Sequence, residues 1–226
     1  MCFQKIGSSN FFKRGGDMCE IGIRWRESFY ADVEPIRLKE PLAEFLGAVG
    51  FGAEFIYTYQ DAVKLAGHSC PAVSGAYKIT EKALQELYGD EVPVRGQISV
   101  RVLGSADNGA NGPMAQVIGL ITGAAPETGF AGFGQKFSRK NKLVFDTKNE
   151  EPGAFIFTRD DNQKSVKISY HPENIPTPEK MSDLLTKCIV GTATEKQQEE
   201  FKRMWQERVR IALFEEAKGL FRVKKL

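Results

Sequence analysis

His68 and Cys70 stand two residues apart in Gly67-His68-Ser69-Cys70-Pro71, and they are one of the chain's two histidines and one of its four cysteines. In an extended backbone, side chains at i and i+2 share a face, so imidazole and sulfur can converge on one centre. Both are ligands for a divalent metal of borderline softness, zinc first among them. Pro71 suits a first helical turn. That places Cys70 at the N-cap, where unpaired amides and the positive end of the helix dipole favour thiolate over thiol. The pair is a candidate metal site, and Cys70, with His68 as base or metal-bound polariser, is equally a candidate nucleophile. A blander role for the same residues is that His68 bonds a neighbouring carbonyl while Cys70 packs as a small apolar side chain, as most free cysteines do. Zinc takes about three to four protein ligands, so Asp107, Cys19, His171 or a second subunit would have to complete the set.

Three further groups surround this pair in sequence. The Gly104–Pro113 loop exposes backbone amides between a strand and a helix, where an anion can bind. It lacks the Lys-Ser/Thr ending of a P-loop, and its glycines do not follow GxGxxG. Asp107 and Asn108 are its candidate ligand-binding residues, because strand-to-helix loops line clefts. The second group, Gly129 to Gly134 with Phe130 and Phe133, is followed by Lys136, Arg139, Lys140 and Lys142. It has the makings of a clamp for an anionic or aromatic ligand, although such runs are commonly solvated surface; Lys140 joins the ligand-binding candidates. Of the third group, Tyr57, Tyr59 and Tyr77, only Tyr77 is retained as a ligand-binding candidate, since aromatic positions on regular elements are usually core.

The elements that must hold these residues follow from periodicity. Residues 20–30 alternate like an edge strand, and Leu42, Phe45, Leu46 and Val49 recur at helical spacing from about Glu40. A short helix over 61–66 ends at Gly67. The clearest helix follows His68, with Val73, Ala76, Tyr77, Ala83, Leu84 and Leu87 in one apolar stripe ending at Gly89. Gln97 to Leu103 reads as a strand and Pro113 to Thr122 as a helix. Strands are expected over 142–146, 154–159 and 165–170, the last two joined by a hairpin at 160–163. After Pro176-Thr177-Pro178 a helix over 179–190 ends at Gly191. Thr194 and Gln197 then open another helix as a capping box, with Phe201, Trp205, Val209, Ala212 and Leu213 on one face to about Lys218. Strand hairpins without regular βαβ alternation make the fold class α+β: a mixed or antiparallel sheet packed with helices, closed by a C-terminal helical hairpin. The expected division is an arm or misplaced start over 1–17, a core over 18–175 and the hairpin over 176–226.

Composition bounds the function. The chain has 226 residues, 42% hydrophobic and 27% charged, with a formal net charge of +2. These are globular proportions, and so small a surplus gives no reason to expect a nucleic-acid partner or an acidic membrane surface. No apolar run approaches the ~20 residues of a membrane helix, and no signal peptide is evident, so a cytoplasmic location is expected. Cys2, Cys19, Cys70 and Cys188 form no CxxC pair and are expected as reduced thiols.

Asp61 to Tyr77 resembles the signature of the FmdE-like family of formylmethanofuran dehydrogenase proteins, in which glycine, histidine, any residue, cysteine and proline open a long helix. Gly67, His68, Cys70, Pro71, Gly75 and Tyr77 match, and the similarity continues through Leu120-Ile-Thr-Gly123 and Lys140 to Phe145, covering residues 55–150. The resemblance implies an α+β core that forms an intertwined homodimer and a metal or active site around His68 and Cys70. Family members often carry a second cysteine in the loop before the next helix, and some end in a four-cysteine zinc finger. Here residues 107–113 hold no cysteine, and only Cys188 follows residue 171, so the helical hairpin stands where the finger would be. The expected function is a homodimeric protein binding a divalent metal, zinc by its donors, with an open site for a small-molecule ligand. The alternatives are an enzyme using Cys70 and His68, and an accessory protein docking a larger redox complex. Nothing in the chain matches the catalytic subunits of the molybdenum or tungsten enzyme itself.

Overall fold

In the computed structural model of the chain, which describes residues 11–14, 17–20, 23–134 and 136–226, the helix that starts at Pro71 is the centre of packing. This helix, α3 (Pro71–Tyr88), follows α1 (Pro41–Phe45) and α2 (Tyr59–Ala66). Its six stripe residues are all buried, and α3 touches α2, α4 (Asn111–Thr122) and α6 (Glu195–Phe214). Its polar positions are compatible with that burial because their hydroxyls bond within the helix: Thr80 to the Ala76 carbonyl at 2.8 Å and Ser74 to that of Cys70 at 3.0 Å.

On the other side lies a five-stranded mixed sheet. Its strands are β5 (Ile98–Val102), β6 (Leu143–Phe145), β7 (Ala154–Arg159), β8 (Ser165–Tyr170) and β9 (Phe221–Lys225), in the order β6-β5-β7-β8-β9. β5 and β6 are parallel and every other pair is antiparallel. Two antiparallel pairs complete the β structure: β1 (Phe11–Arg14) with β2 (Asp17–Glu20), and β3 (Ile36–Lys39) with β4 (Glu54–Tyr57). The inner face of the sheet, with Ile98, Val100, Phe155, Phe157, Val166 and Ile168, meets α3 and α4 in one core. The fold class is α+β. Residues 1–10, 15, 16, 21, 22 and 135, with Cys2 among them, lie outside the described residues, as does the Cys19 side chain.

Four expectations are corrected. No strand runs over 23–30; the chain there is irregular and then forms a short 3-10 helix, Ser28–Ala31, which buries Tyr30. The helix near Glu40 stops at Phe45 because Gly47 is left-handed (φ +73°), and Phe45 and Leu46 stand exposed rather than in the core. The short helix begins at Tyr59, two residues early, since Thr58 and Asp61 form a reciprocal capping box. The helical hairpin of α5 (Met181–Ile189) and α6 is present but does not close the chain: β9 follows and pairs with β8. The hairpin has its own small core of Met181, Leu184 and Met204, and Trp205 packs against both this and the main core.

Candidate functional site

Four residues, Gly67 to Cys70, turn the chain from α2 into α3. Gly67 takes the left-handed conformation (φ +72°) that ends α2, and Cys70 is extended (φ −154°, ψ 168°) as the N-cap of α3. Pro71 follows as first helical residue, where its missing N–H costs no bond. Three rings from three elements then fix the corner. The Tyr59 hydroxyl shares a 2.6 Å hydrogen bond with Ser69 Oγ. Trp205 Nε1 donates to the Ser69 carbonyl at 2.8 Å, and the Tyr170 hydroxyl to the Pro71 carbonyl at 2.7 Å. Tyr170 reaches that carbonyl by lying across α3 at Gly75, where a Cβ would come within 2.4 Å of its ring. Desolvation raises the Tyr59 and Tyr170 hydroxyls well above the ordinary tyrosine value, so both stay protonated donors.

His68 is exposed and its Nδ1 lies 2.9 Å from the Ala66 carbonyl. A carbonyl only accepts, so Nδ1 is the donor in this bond and the neutral tautomer it selects has its lone pair on Nε2. Cys70 is half-buried against the core, a free thiol with no capping bond from its side chain.

Beside this corner is a cavity of about 270 Å³ whose lining includes Ala72, Asn108, Asn111, Met114, Tyr170 and His171. His171 Nδ1 bonds Glu173 Oε1 at 3.0 Å, while its Nε2 is buried with no partner among the described residues. Asn111 is buried and donates to the Ser105 carbonyl at 3.0 Å.

Of the sequence candidates, Asn108 lines this cavity, whereas His68 and Cys70, on either side of Ser69 in the chain, do not. Asp107 is exposed; a hydrogen bond from Ser105 holds its carboxyl below the usual range. Lys140 is exposed and lines neither this cavity nor the larger one at the other end of α4. Tyr77 is instead a core residue: it is fully buried, and its hydroxyl donates to the carbonyls of Glu34 and Tyr57, each at 2.9 Å. Sequence reasoning offers His171 only as one way to complete a ligand set, and Tyr170 and Trp205 only as members of a strand and a helix stripe. Their spacing from Cys70 leaves no local signal for their role.

Zinc needs about three to four ligands, and among the described residues no group of three or more His, Cys, Asp or Glu side chains is placed to hold a metal ion. His68 and Cys70 of one chain therefore do not fit a closed zinc site.

A mixed sheet cradling a helix that starts on a His-x-Cys-Pro corner defines an α+β protein with a cavity at the start of that helix. The model of the family described as "FmdE, Molybdenum formylmethanofuran dehydrogenase operon" matches residues 65–222, and the chain belongs to that family. The match runs from the last turn of α2 into β9, beyond residue 150 where the sequence resemblance ends, and so takes in the helical hairpin. No curated protein matches the chain. Among the described residues no helix is long and apolar enough to cross a membrane.

Proposed function

We propose that this FmdE-family chain binds a small molecule in the cavity at the start of α3, with Cys70 and His68 as the chemically active corner beside it. The observation that carries this is His171 Nε2, a polar atom buried at the cavity wall without a partner among the described residues. Leaving such a group unpaired costs about 1–3 kcal/mol, which a turn of the ring toward a polar group in the cavity would offset. Ala72, Met114 and Tyr170 supply apolar wall while Asn108, Asn111 and His171 supply a few polar contacts, the usual make-up of a ligand cavity.

A second reading rests on the His68 tautomer. A ring whose Nδ1–H is held by a backbone carbonyl while Nε2 stays open is how metal-ligating histidines are oriented. Zinc or another divalent ion would then lie between His68 and Cys70 of one copy and donors of a second, in a homodimer.

Native mass spectrometry of untagged protein, with elemental analysis, separates the two. A small-molecule mass excess that disappears in Ala72→Leu but persists in His68→Ala is the expected result. Zinc at half or one equivalent per chain, lost in His68→Ala together with the dimer, supports the second reading. Bare protein mass in both samples removes both.

A further inference from the structure

A second cavity, of about 590 Å³, lies at the opposite end of α4 and includes Arg95, Lys136, Phe137, Arg139, Lys142 and Asp160 in its lining. Its charges are unequally matched. Glu40, itself buried, sits between two guanidiniums, accepting from Arg95 Nη1 at 2.7 Å and from Arg139 Nη2. Asp160 pairs with Lys142, and Asp161, also at the cavity, shares Arg159 with Glu91. One guanidinium charge of the Arg95–Glu40–Arg139 triad is left over. Lys136 adds another, since it is exposed and has no ion pair among the described residues.

Arg139 is the unusual member. It is only 7% exposed, and its Nη1 is buried against Gly96 and Gly123 with no hydrogen-bond partner among the described residues. Both glycines have positive φ, and a Cβ on either would lie within 2.5 Å of Nη1, so the backbone is shaped around this guanidinium. A buried, incompletely neutralised cation at a cavity wall attracts an anion more strongly than a solvated one. Arg95 completes its bonds on the Leu120 and Ile121 carbonyls at the end of α4, which fixes the triad to the helix. Phe137 brings an apolar surface to the same cavity, its ring 5.1 Å from that of Phe45.

We infer that this cavity binds a phosphate monoester of an aromatic or other planar molecule, the dianion held by Lys136 in the field of the buried Arg139 and the ring lying along Phe137. With Arg159 shared between Asp161 and Glu91, the cluster keeps one net positive charge, which favours a phosphate anion, and the volume exceeds what the phosphate alone needs. This site is separate from the one at the start of α3 and stands or falls without it.

Isothermal titration calorimetry with phenyl phosphate and inorganic phosphate tests it on the full chain. Phenyl phosphate should bind one per chain, about tenfold more tightly than inorganic phosphate because of the ring contact, and more weakly as salt rises. Lys136→Gln, an exposed substitution with no packing to lose, should weaken both probes about tenfold. Phe137→Leu should weaken phenyl phosphate alone. Absence of saturable binding by phenyl phosphate in wild type, equal affinity for the two probes, or an unchanged affinity in Lys136→Gln overturns the inference.

Discussion

At Gly75 the space a Cβ would occupy is taken by the ring of Tyr170, whose hydroxyl ties down the carbonyl of Pro71. Gly75→Ala should therefore lower stability by about 1–3 kcal/mol through overpacking, read from urea denaturation midpoints. The same substitution in a Tyr170→Leu background should cost much less, and a full-sized loss there would dissociate the glycine from the tyrosine. Trp205→Phe keeps most of the packing and removes one donor, leaving the Ser69 carbonyl without its indole. It should cost about 1–3 kcal/mol and speed iodoacetamide alkylation of Cys70 relative to Cys188, followed by peptide mapping. An unchanged ratio would show that the indole does not restrain the corner. The residues of the corner itself are legible in sequence, because Gly67, Cys70 and Pro71 each act through local backbone geometry. Their clamps are not, because Tyr59, Tyr170 and Trp205 meet Ser69 and Pro71 only through tertiary packing. Arg139 shows the same limit: among lysines it reads as surface, and nothing local tells that Gly96 and Gly123 have left room to bury it.

Single elements differ in how plainly they speak. The stripe of α3 is readable since every apolar residue on it faces the core. Leu42, Phe45, Leu46 and Val49 have the same spacing, yet their helix ends after five residues and Phe45 instead joins Phe133 and Phe137 in an exposed ring cluster. β9 is hidden in the sequence because Phe-Arg-Val-Lys-Lys carries too much charge for a buried strand. It is an edge strand, where lysines are suited to blocking further pairing. Its anchor is Phe221, stacked on Tyr170 at 5.1 Å with Lys82 Nζ 5.4 Å from its centre. Phe221→Leu should cost about 1 kcal/mol by thermal denaturation, with a larger effect on hydrogen exchange in β8 and β9 than in α2. For α6, Thr194→Ala removes half of a capping box and should cost about 1 kcal/mol, visible as earlier exchange in its first turn.

For the molecule as a whole, the hairpin and the segment before β3 are held to each other as well as to the core. Arg26 bonds Glu199 at 2.7 Å, and Tyr30 donates to Gln206 Oε1 at 2.7 Å. Hydrogen bonds from Arg26, then Lys202, push the Glu199 carboxyl down to about 2 from its ordinary 4.5. A carboxyl depressed on folding adds stability above its ordinary value and loses it as pH falls through the depressed one. Any stability difference between wild type and Glu199→Gln should thus be present above pH 4.5 and gone near pH 2. It should be small and salt-sensitive, since the pair is exposed. A difference that grew toward acid would contradict the assignment.

Trp205 spans the two hydrophobic cores and places its indole N–H on the residue between His68 and Cys70. The chain has only one other tryptophan, Trp25. In a Trp25→Phe background the emission of the remaining indole becomes a built-in optical gauge of that corner. Its wavelength and lifetime will report, in real time and without any label, each event that loosens the hairpin or alters what sits beside the thiol.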